Sequence, residues 1–275
     1  MKTLVLRNRV ISTPLDAFIM GIVNATPDSF FEKSRGGVER ALKLIDEGAD
    51  MLDIGGESTR PGAQYVSAEE ELSRVIPIIR AVRKVSDIPI SVDTRKKVVM
   101  EQAFSEGADI LNDVSALEDD EALADFAART KITVILMHKR GIPAIMQQDT
   151  QYADVIFEVS SYLEARVHHA ILCGIEKTRI IVDPGIGFGK DGASNSALIK
   201  NCGTLCGGDY PVLVGISRKT CIGNMTGRNA DERLYGTLAA NMIAVQNGAS
   251  IVRVHDVAAT ADTLKVLAMI CSEGT

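Results

Sequence analysis

Eight short runs of β-branched and apolar residues recur along the chain, each separated from the next by a longer stretch of helical period, and no other feature restricts the fold so sharply. The runs are Phe18 to Val23, Met51 to Ile54, Ile88 to Val92, Ile110 to Leu111, Ile132 to Leu136, Ile180 to Val182, Val212 to Val214 and Ile251 to Val254. An uninterrupted apolar run reads as a strand buried on both faces, and parallel pairing of such strands needs a long crossover, which an amphipathic helix supplies. The 275 residues match one closed barrel of this kind, which takes about 250. The predicted fold is a (β/α)8 TIM barrel, one domain over residues 1–275 with a short amino-terminal extension at 1–17. An open doubly wound sheet is the alternative.

The stretches between the runs carry their own punctuation. Glu47-Gly48-Ala49-Asp50, Glu106-Gly107-Ala108-Asp109 and Asn247-Gly248-Ala249-Ser250, with Cys173-Gly174-Ile175 as a weaker copy, precede the second, fourth, eighth and sixth runs. A glycine there suits a left-handed helix end, so the repeat concerns folding. Ser67 and Glu70 form a capping box ahead of Leu72, Val75, Ile76, Ile79 and Val82 on one helical face, in which Pro77 is expected to introduce a kink. A helix from Tyr152 to Cys173, capped by Gly174, places His168 and His169 about 100° apart, which disfavours a joint metal site. Two polar, glycine-containing stretches, Ala25 to Gly37 and Glu57 to Ser67, follow strands and are expected to cover a substrate.

Net charge of −6 gives no basic face for nonspecific nucleic-acid binding, although a local basic pocket for a small anion stays open. Arg7 and Arg9 interrupt the apolar residues of the first segment, MKTLVLRNRVIS, and no run approaches membrane-spanning length. The expectation is a cytoplasmic protein with neither nucleic-acid nor membrane partners. Its five cysteines lack CxxC spacing and read as free thiols, and Cys202 with Cys206 would make only half of a structural zinc site.

The residues that end the runs are the functional signal: Asn24, Asp53, Asp93, Asn112, Met137-His138, Asp183, the Gly215-Ile216-Ser217-Arg218-Lys219 segment, and Arg253 with His255. In a barrel these ends converge on one mouth. Asp93 and Asp183 offer acceptors, Asn112 both donor and acceptor, and Arg218, Lys219 and Arg253 positive donors. A heterocycle with donor edges and an anion together would satisfy such a ring. Taken singly, Asp183 to Lys190 also reads as a turn and 215–219 as a basic loop. Neither has the order of a P-loop, and Ser217 lacks a nucleophile elbow.

In combination and order the motifs resemble the dihydropteroate synthase family, from Phe18 to the last helix. They are Met-Gly-Ile-Val-Asn-Ala-Thr-Pro-Asp-Ser-Phe at 20–30, Asp-Ile-Gly-Gly-Glu-Ser-Thr-Arg-Pro-Gly at 53–62, Ser-Val-Asp-Thr at 91–94, Asn-Asp-Val at 112–114, the Asp183 to Lys190 run, Gly-Ile-Ser-Arg-Lys at 215–219 and Arg-Val-His-Asp-Val at 253–257. The resemblance implies condensation of 6-hydroxymethyl-7,8-dihydropterin diphosphate with 4-aminobenzoate to 7,8-dihydropteroate, in a homodimer that uses Mg2+.

It also implies roles. Asp93, Asn112, Met137, Asp183, Lys219 and Arg253 would hold the pterin; Asn24, Thr59, Arg60, Arg253 and His255 the diphosphate, with Asn24 touching the metal. Thr59, Pro61, Phe188, Ser217 and Lys219 would receive 4-aminobenzoate, and Asp93, Lys219, Arg253 and His255 would be catalytic. The first lid departs from the usual Phe-x-Asp-Gly-Gly pattern at Phe30 to Gly37, where Lys33 and Arg35 could meet diphosphate or solvent. A methyltransferase acting on methyltetrahydrofolate and a non-catalytic pterin-binding paralogue are the competing readings. Asp53 acquires no substrate contact and is left as a brace for its loop.

Overall fold

The computed structural model describes residues 1–25, 37–59, 62–141 and 145–272. Eight parallel strands form the barrel: β3 (Phe18–Asn24), β4 (Met51–Gly55), β5 (Ile90–Asp93), β6 (Ile110–Asp113), β7 (Thr133–Met137), β8 (Ile180–Asp183), β9 (Leu213–Val214) and β10 (Ile251–Val254). Neighbours run β8-β7-β6-β5-β4-β3-β10-β9, and a parallel bridge between Val182 and Val212 brings the last pair together. The sheet therefore closes, against the open alternative. All eight expected runs become strands, but their ends differ by up to two residues. Sheet hydrogen bonding continues into polar residues such as Asp93, Asn112 and Asp183, which an apolarity pattern leaves out.

Helices α1 (Gly37–Asp46), α2 (Ala68–Arg83), α3 (Lys97–Ser105), α4 (Ala122–Thr130), α5 (Val155–Leu172), α6 (Gly192–Asn201), α7 (Thr220–Thr226), α8 (Leu234–Gln246) and α9 (Val257–Ser272) lie between and after the strands. The repeated glycines close four of these helices. Gly48, Gly107, Gly174 and Gly248 have φ of 93°, 103°, 97° and 102°. Each following amide returns to a carbonyl five residues back, as Ala49 does to Leu44 at 3.0 Å and Ala108 to Ala103 at 2.9 Å. This is the double-bonded left-handed helix end. At α2 only half of the capping box forms: Ser67 Oγ accepts from the Glu70 amide at 3.1 Å, while the Glu70 carboxylate turns to Arg74. The helix runs on through Pro77.

Strand pleating, with a period of two, positions the site. Phe18 and Met20, Met51, Ile110, Ile135, Ile181, Leu213 and Ile251 fill the barrel interior, whereas their chain neighbours Ile19, Leu52, Leu111, Val134, Val182, Val214 and Val252 belong to the core between strands and helices. Two residues further along each inward row stand Asp53, Asn112, Met137, Asp183 and Arg253. Polar residues at the carboxyl ends are thus forced into the mouth by the same alternation that buries apolar residues below.

The amino-terminal extension is itself structured. β1 (Lys2–Val5) pairs antiparallel with β2 (Val10–Thr13), and Leu4 and Leu6 join the interior cluster at the end of the barrel opposite the mouth. Thr133 Oγ1 donates to the Val5 carbonyl at 2.8 Å, which ties the hairpin to β7. Among the described residues no helix is long and apolar enough to cross a membrane.

Candidate active site

The mouth opens into a cavity of about 920 Å³. Its lining includes Asn24, Thr59, Asp93, Asn112, Met137, Asp183, Phe188, Ser217, Lys219, Arg253 and His255. Those are all the residues to which the resemblance gives a substrate or catalytic role except Arg60 and Pro61, which lie outside the described residues, as does most of the first lid.

Three elements meet at Asp53. Its Oδ2 accepts from Arg253 Nε at 2.6 Å and from Asn112 Nδ2 at 3.2 Å, and it is fully buried. Arg253 reaches on to Asp93 Oδ2 at 3.1 Å. Asp53 is absent from the cavity lining, so it stands beneath the mouth and braces Arg253 and Asn112, not its own loop. One guanidinium between two buried carboxylates leaves negative charge in excess. Burial, with Asp53 adding to it and Arg253 opposing, pushes the Asp93 carboxyl up to about 8. Burial also opposes the charge on Arg253, but Asp53 and Asp93 outweigh it and keep the guanidinium protonated.

Asp183 and Lys219 face the same cavity with shifts of opposite sign. Burial raises the Asp183 carboxyl against the pull of Lys219 and of the Gly185 amide, which donates to Asp183 Oδ1 at 2.7 Å. Burial draws the Lys219 ammonium down to about 8, and Asp183 opposes the fall. A ligand edge that donates to Asp183 and accepts from Lys219 would remove both costs. Lys219 Nζ also donates to the Ile186 carbonyl and lies 4.6 Å from the centre of the Phe188 ring.

Beyond β9, Ser217 Oγ lies 3.0 Å from His255 Nδ1 and accepts from the His255 amide at 3.1 Å. Arg218, expected as a positive donor, holds Asp256 with two bonds of 2.8 and 2.9 Å and braces the carbonyls of Ala230 and Asp231. Its backbone is left-handed at φ 56°, and it lines the cavity together with Ser217 and Lys219.

Sequence reasoning passed over two further groups. Glu57 accepts from Arg95 at 2.9 Å, Lys96 at 2.7 Å and the Val66 amide at 2.9 Å, so the start of the second lid is fixed to the residues before α3. Burial works against the Glu57 carboxylate, but its bonds to Lys96 and Arg95 hold it below the usual range. Lys190 is buried beside His138, with its Nζ 2.9 Å from Nδ1. Glu57 lay inside a recognised motif; the lysine partnership depends on closure of the barrel.

Among the described residues no cluster of three His, Cys, Asp or Glu side chains is arranged to hold a metal, and the cysteines are free. An oxygen donor such as Asn24 at the cavity wall is the kind of ligand Mg2+ takes when waters and substrate oxygens complete its shell.

A family description, pterin binding enzyme, matches residues 20–255. The dihydropteroate synthase of Neisseria meningitidis serogroup B is 50% identical over 262 residues, which covers 90% of this chain and 90% of that one. Two solved structures of Xanthomonas albilineans dihydropteroate synthase also resemble it. The complex with 4-aminobenzoic acid has a TM-score of 0.90 at 44% identity and covers 98% of each chain. The complex with 7,8-dihydropteroate has a TM-score of 0.85 at 41% identity, again over 98% of each.

Proposed function

The chain belongs to the pterin-binding enzymes, in the dihydropteroate synthase family, and from this premise we propose that its barrel mouth joins 6-hydroxymethyl-7,8-dihydropterin diphosphate to 4-aminobenzoate, releasing diphosphate. The carrying observation is the pairing of Asp183 with Lys219 across one cavity that also holds the Asp53–Arg253–Asp93 chain. Asp183 accepts from the amino and ring N–H groups of the pterin, Asn112 and Asp93 address its other edge, and Lys219 donates to the carbonyl side. Met137 lines the pterin slot.

Arg253, His255, Thr59, Arg60 and Asn24 take the diphosphate half. The methylene C–O bond breaks and its electrons leave with diphosphate; the aryl amine then forms the C–N bond and gives up a proton. Fixed donors at the leaving oxygens lower this barrier because their dipoles are in place before charge develops. Asp93, beneath the methylene, stabilises in its ionised form the positive charge that grows there. Phe188 and Pro61 wall the 4-aminobenzoate slot, with Lys219 and Ser217 at its polar end. Mg2+, held by Asn24 and diphosphate oxygens, would supply further neutralisation of the leaving group.

Exposed Tyr235 and Ile243 on α8 with Val266, Met269 and Ile270 on α9 support a homodimer. Free thiols suit a reducing cytoplasm. Titration calorimetry of Asp183→Ala with the pterin diphosphate tests the central assignment: binding should fall at least a hundredfold, and undiminished binding would remove Asp183 from the pterin slot.

A further inference from the structure

The segment between β8 and α6 cannot hold its shape by backbone preference. Gly185, Gly187 and Gly189 all have left-handed φ, of 65°, 84° and 65°. A side chain on Gly185 would meet the His138 carbonyl at 1.9 Å, so the loop is pressed directly onto the residue after β7. Yet this segment carries Phe188 and the Ile186 carbonyl that receives Lys219.

Lys190 lies under it. Its Nζ is 2.9 Å from His138 Nδ1, 3.0 Å from the Gly185 carbonyl and 3.0 Å from the Phe188 carbonyl. These three short contacts, with a longer one of 3.5 Å to the His138 carbonyl, take up the three N–H donors of an ammonium. Burial, with Lys190 and Arg140 adding to it, pushes His138 down to about 3, so the ring is neutral and its Nδ1 accepts. We infer that Lys190 is a positioning residue for the second substrate: its ammonium pins the Gly185 and Phe188 carbonyls and so sets the aromatic wall of the 4-aminobenzoate slot. The inference rests on the two-substrate reading of the mouth. Asn195 supports the same loop from α6, accepting from the Gly187 amide at 2.7 Å and donating to the Lys190 carbonyl at 3.1 Å.

The ammonium state is open to titration. Burial lowers Lys190 to about 7; among its charged neighbours Asp183 opposes the fall, and Lys219 and Arg140 add to it. A neutral amine has two N–H donors, so above this pH one of the three acceptors is released and the wall loosens.

The test is steady-state kinetics of Lys190→Met against wild type, with fold checked by circular dichroism. The expected result is a KM for 4-aminobenzoate raised at least tenfold, with the KM for pterin diphosphate within threefold of wild type. A general structural role would move both together, and that outcome, or an unchanged KM for 4-aminobenzoate, overturns the inference. Lys219 and Asp93 titrate in the same range, so the pH profile is read as a difference: KM for 4-aminobenzoate climbs above pH 7 in wild type more steeply than in the variant. If the variant does not fold, a wild-type KM that stays flat from pH 6 to 9 overturns it. Absence of condensation by the wild type would defeat the two-substrate reading instead.

Discussion

Replacing Asp53 with Asn changes one oxygen to nitrogen at a position that touches no ligand. At that position Oδ2 takes the 2.6 Å bond from Arg253 and the 3.2 Å bond from Asn112. A neutral amide oxygen still accepts, but the Asn112 bond loses its charged partner and the Arg253 bond keeps only its charged donor, a weakening drawn from the about 1.5–3 kcal/mol that a bond to a charged group is worth. With the Asp53 charge gone, Asp93 ionises more readily and becomes the counter-charge of Arg253 at 3.1 Å, so the variant avoids the larger cost of an unpaired buried cation. Misplacement of Arg253 and Asn112 by about 2–3 kcal/mol corresponds to a kcat/KM lowered roughly 30- to 150-fold. Melting should fall by about 4–12 °C, since about 1 kcal/mol shifts a chain of this size by about 2–4 °C. Diphosphate release in a coupled assay gives the rate and scanning calorimetry the melting point. The pH profile adds a signed readout: Asp53 is one of the groups that raise Asp93, so its neutralisation moves the inflection near 8 toward acid. Kinetics within threefold of wild type, or an inflection that stays in place, would refute the bracing role.

Two other changes follow from the same geometry. Asp93→Asn copies the protonated carboxyl that prevails below about pH 8, so KM for the pterin should stay within threefold. Its kcat should fall about 100-fold, from a charge interaction of roughly 3 kcal/mol at about 6 Å and an effective dielectric of about 20. Because a raised carboxyl ionises as pH climbs, the gap between wild type and variant should widen from pH 7 to 9 in steady-state rates. Ser217 Oγ accepts from the His255 amide at 3.1 Å and lies 3.0 Å from its Nδ1, so it steadies the ring at the cavity wall. Ser217→Ala should lower kcat/KM about tenfold in the same diphosphate-release assay; kinetics within twofold of wild type would count against this.

Much of the architecture could be read before any coordinates, because one alternation governs both the core and the mouth. Asp93, Asn112, Asp183 and Arg253 were conspicuous as polar ends of apolar runs, and the pleat points these four into the mouth while Asp113, one residue past Asn112, turns away to accept from Ser115 and Leu117. Asp53 shows where that logic stops. β4 continues to Gly55, which is the register partner of both Asn24 and Asp93, so Asp53 sits one layer deeper than its place at the end of a run suggested. Its partner Arg253 is 200 residues away and comes near only when β10 pairs with β3. Lys190 and His138 escaped for a similar reason, as their contact spans two strands. Arg218 lines the mouth, but its pairing with Asp256, 38 residues on, shows only once β10 lies beside β9. The amino-terminal hairpin carried too few residues per strand for its pattern to stand out.

The most direct test of the proposed chemistry is a stoichiometric assay of purified protein with pterin diphosphate, in which diphosphate and dihydropteroate are quantified together with and without 4-aminobenzoate. One diphosphate should appear per dihydropteroate, both dependent on 4-aminobenzoate and both lost in Asp183→Ala. Diphosphate released without 4-aminobenzoate at the same rate, or product formed equally well by the variant, would contradict the assignment of this mouth as a two-substrate condensation site.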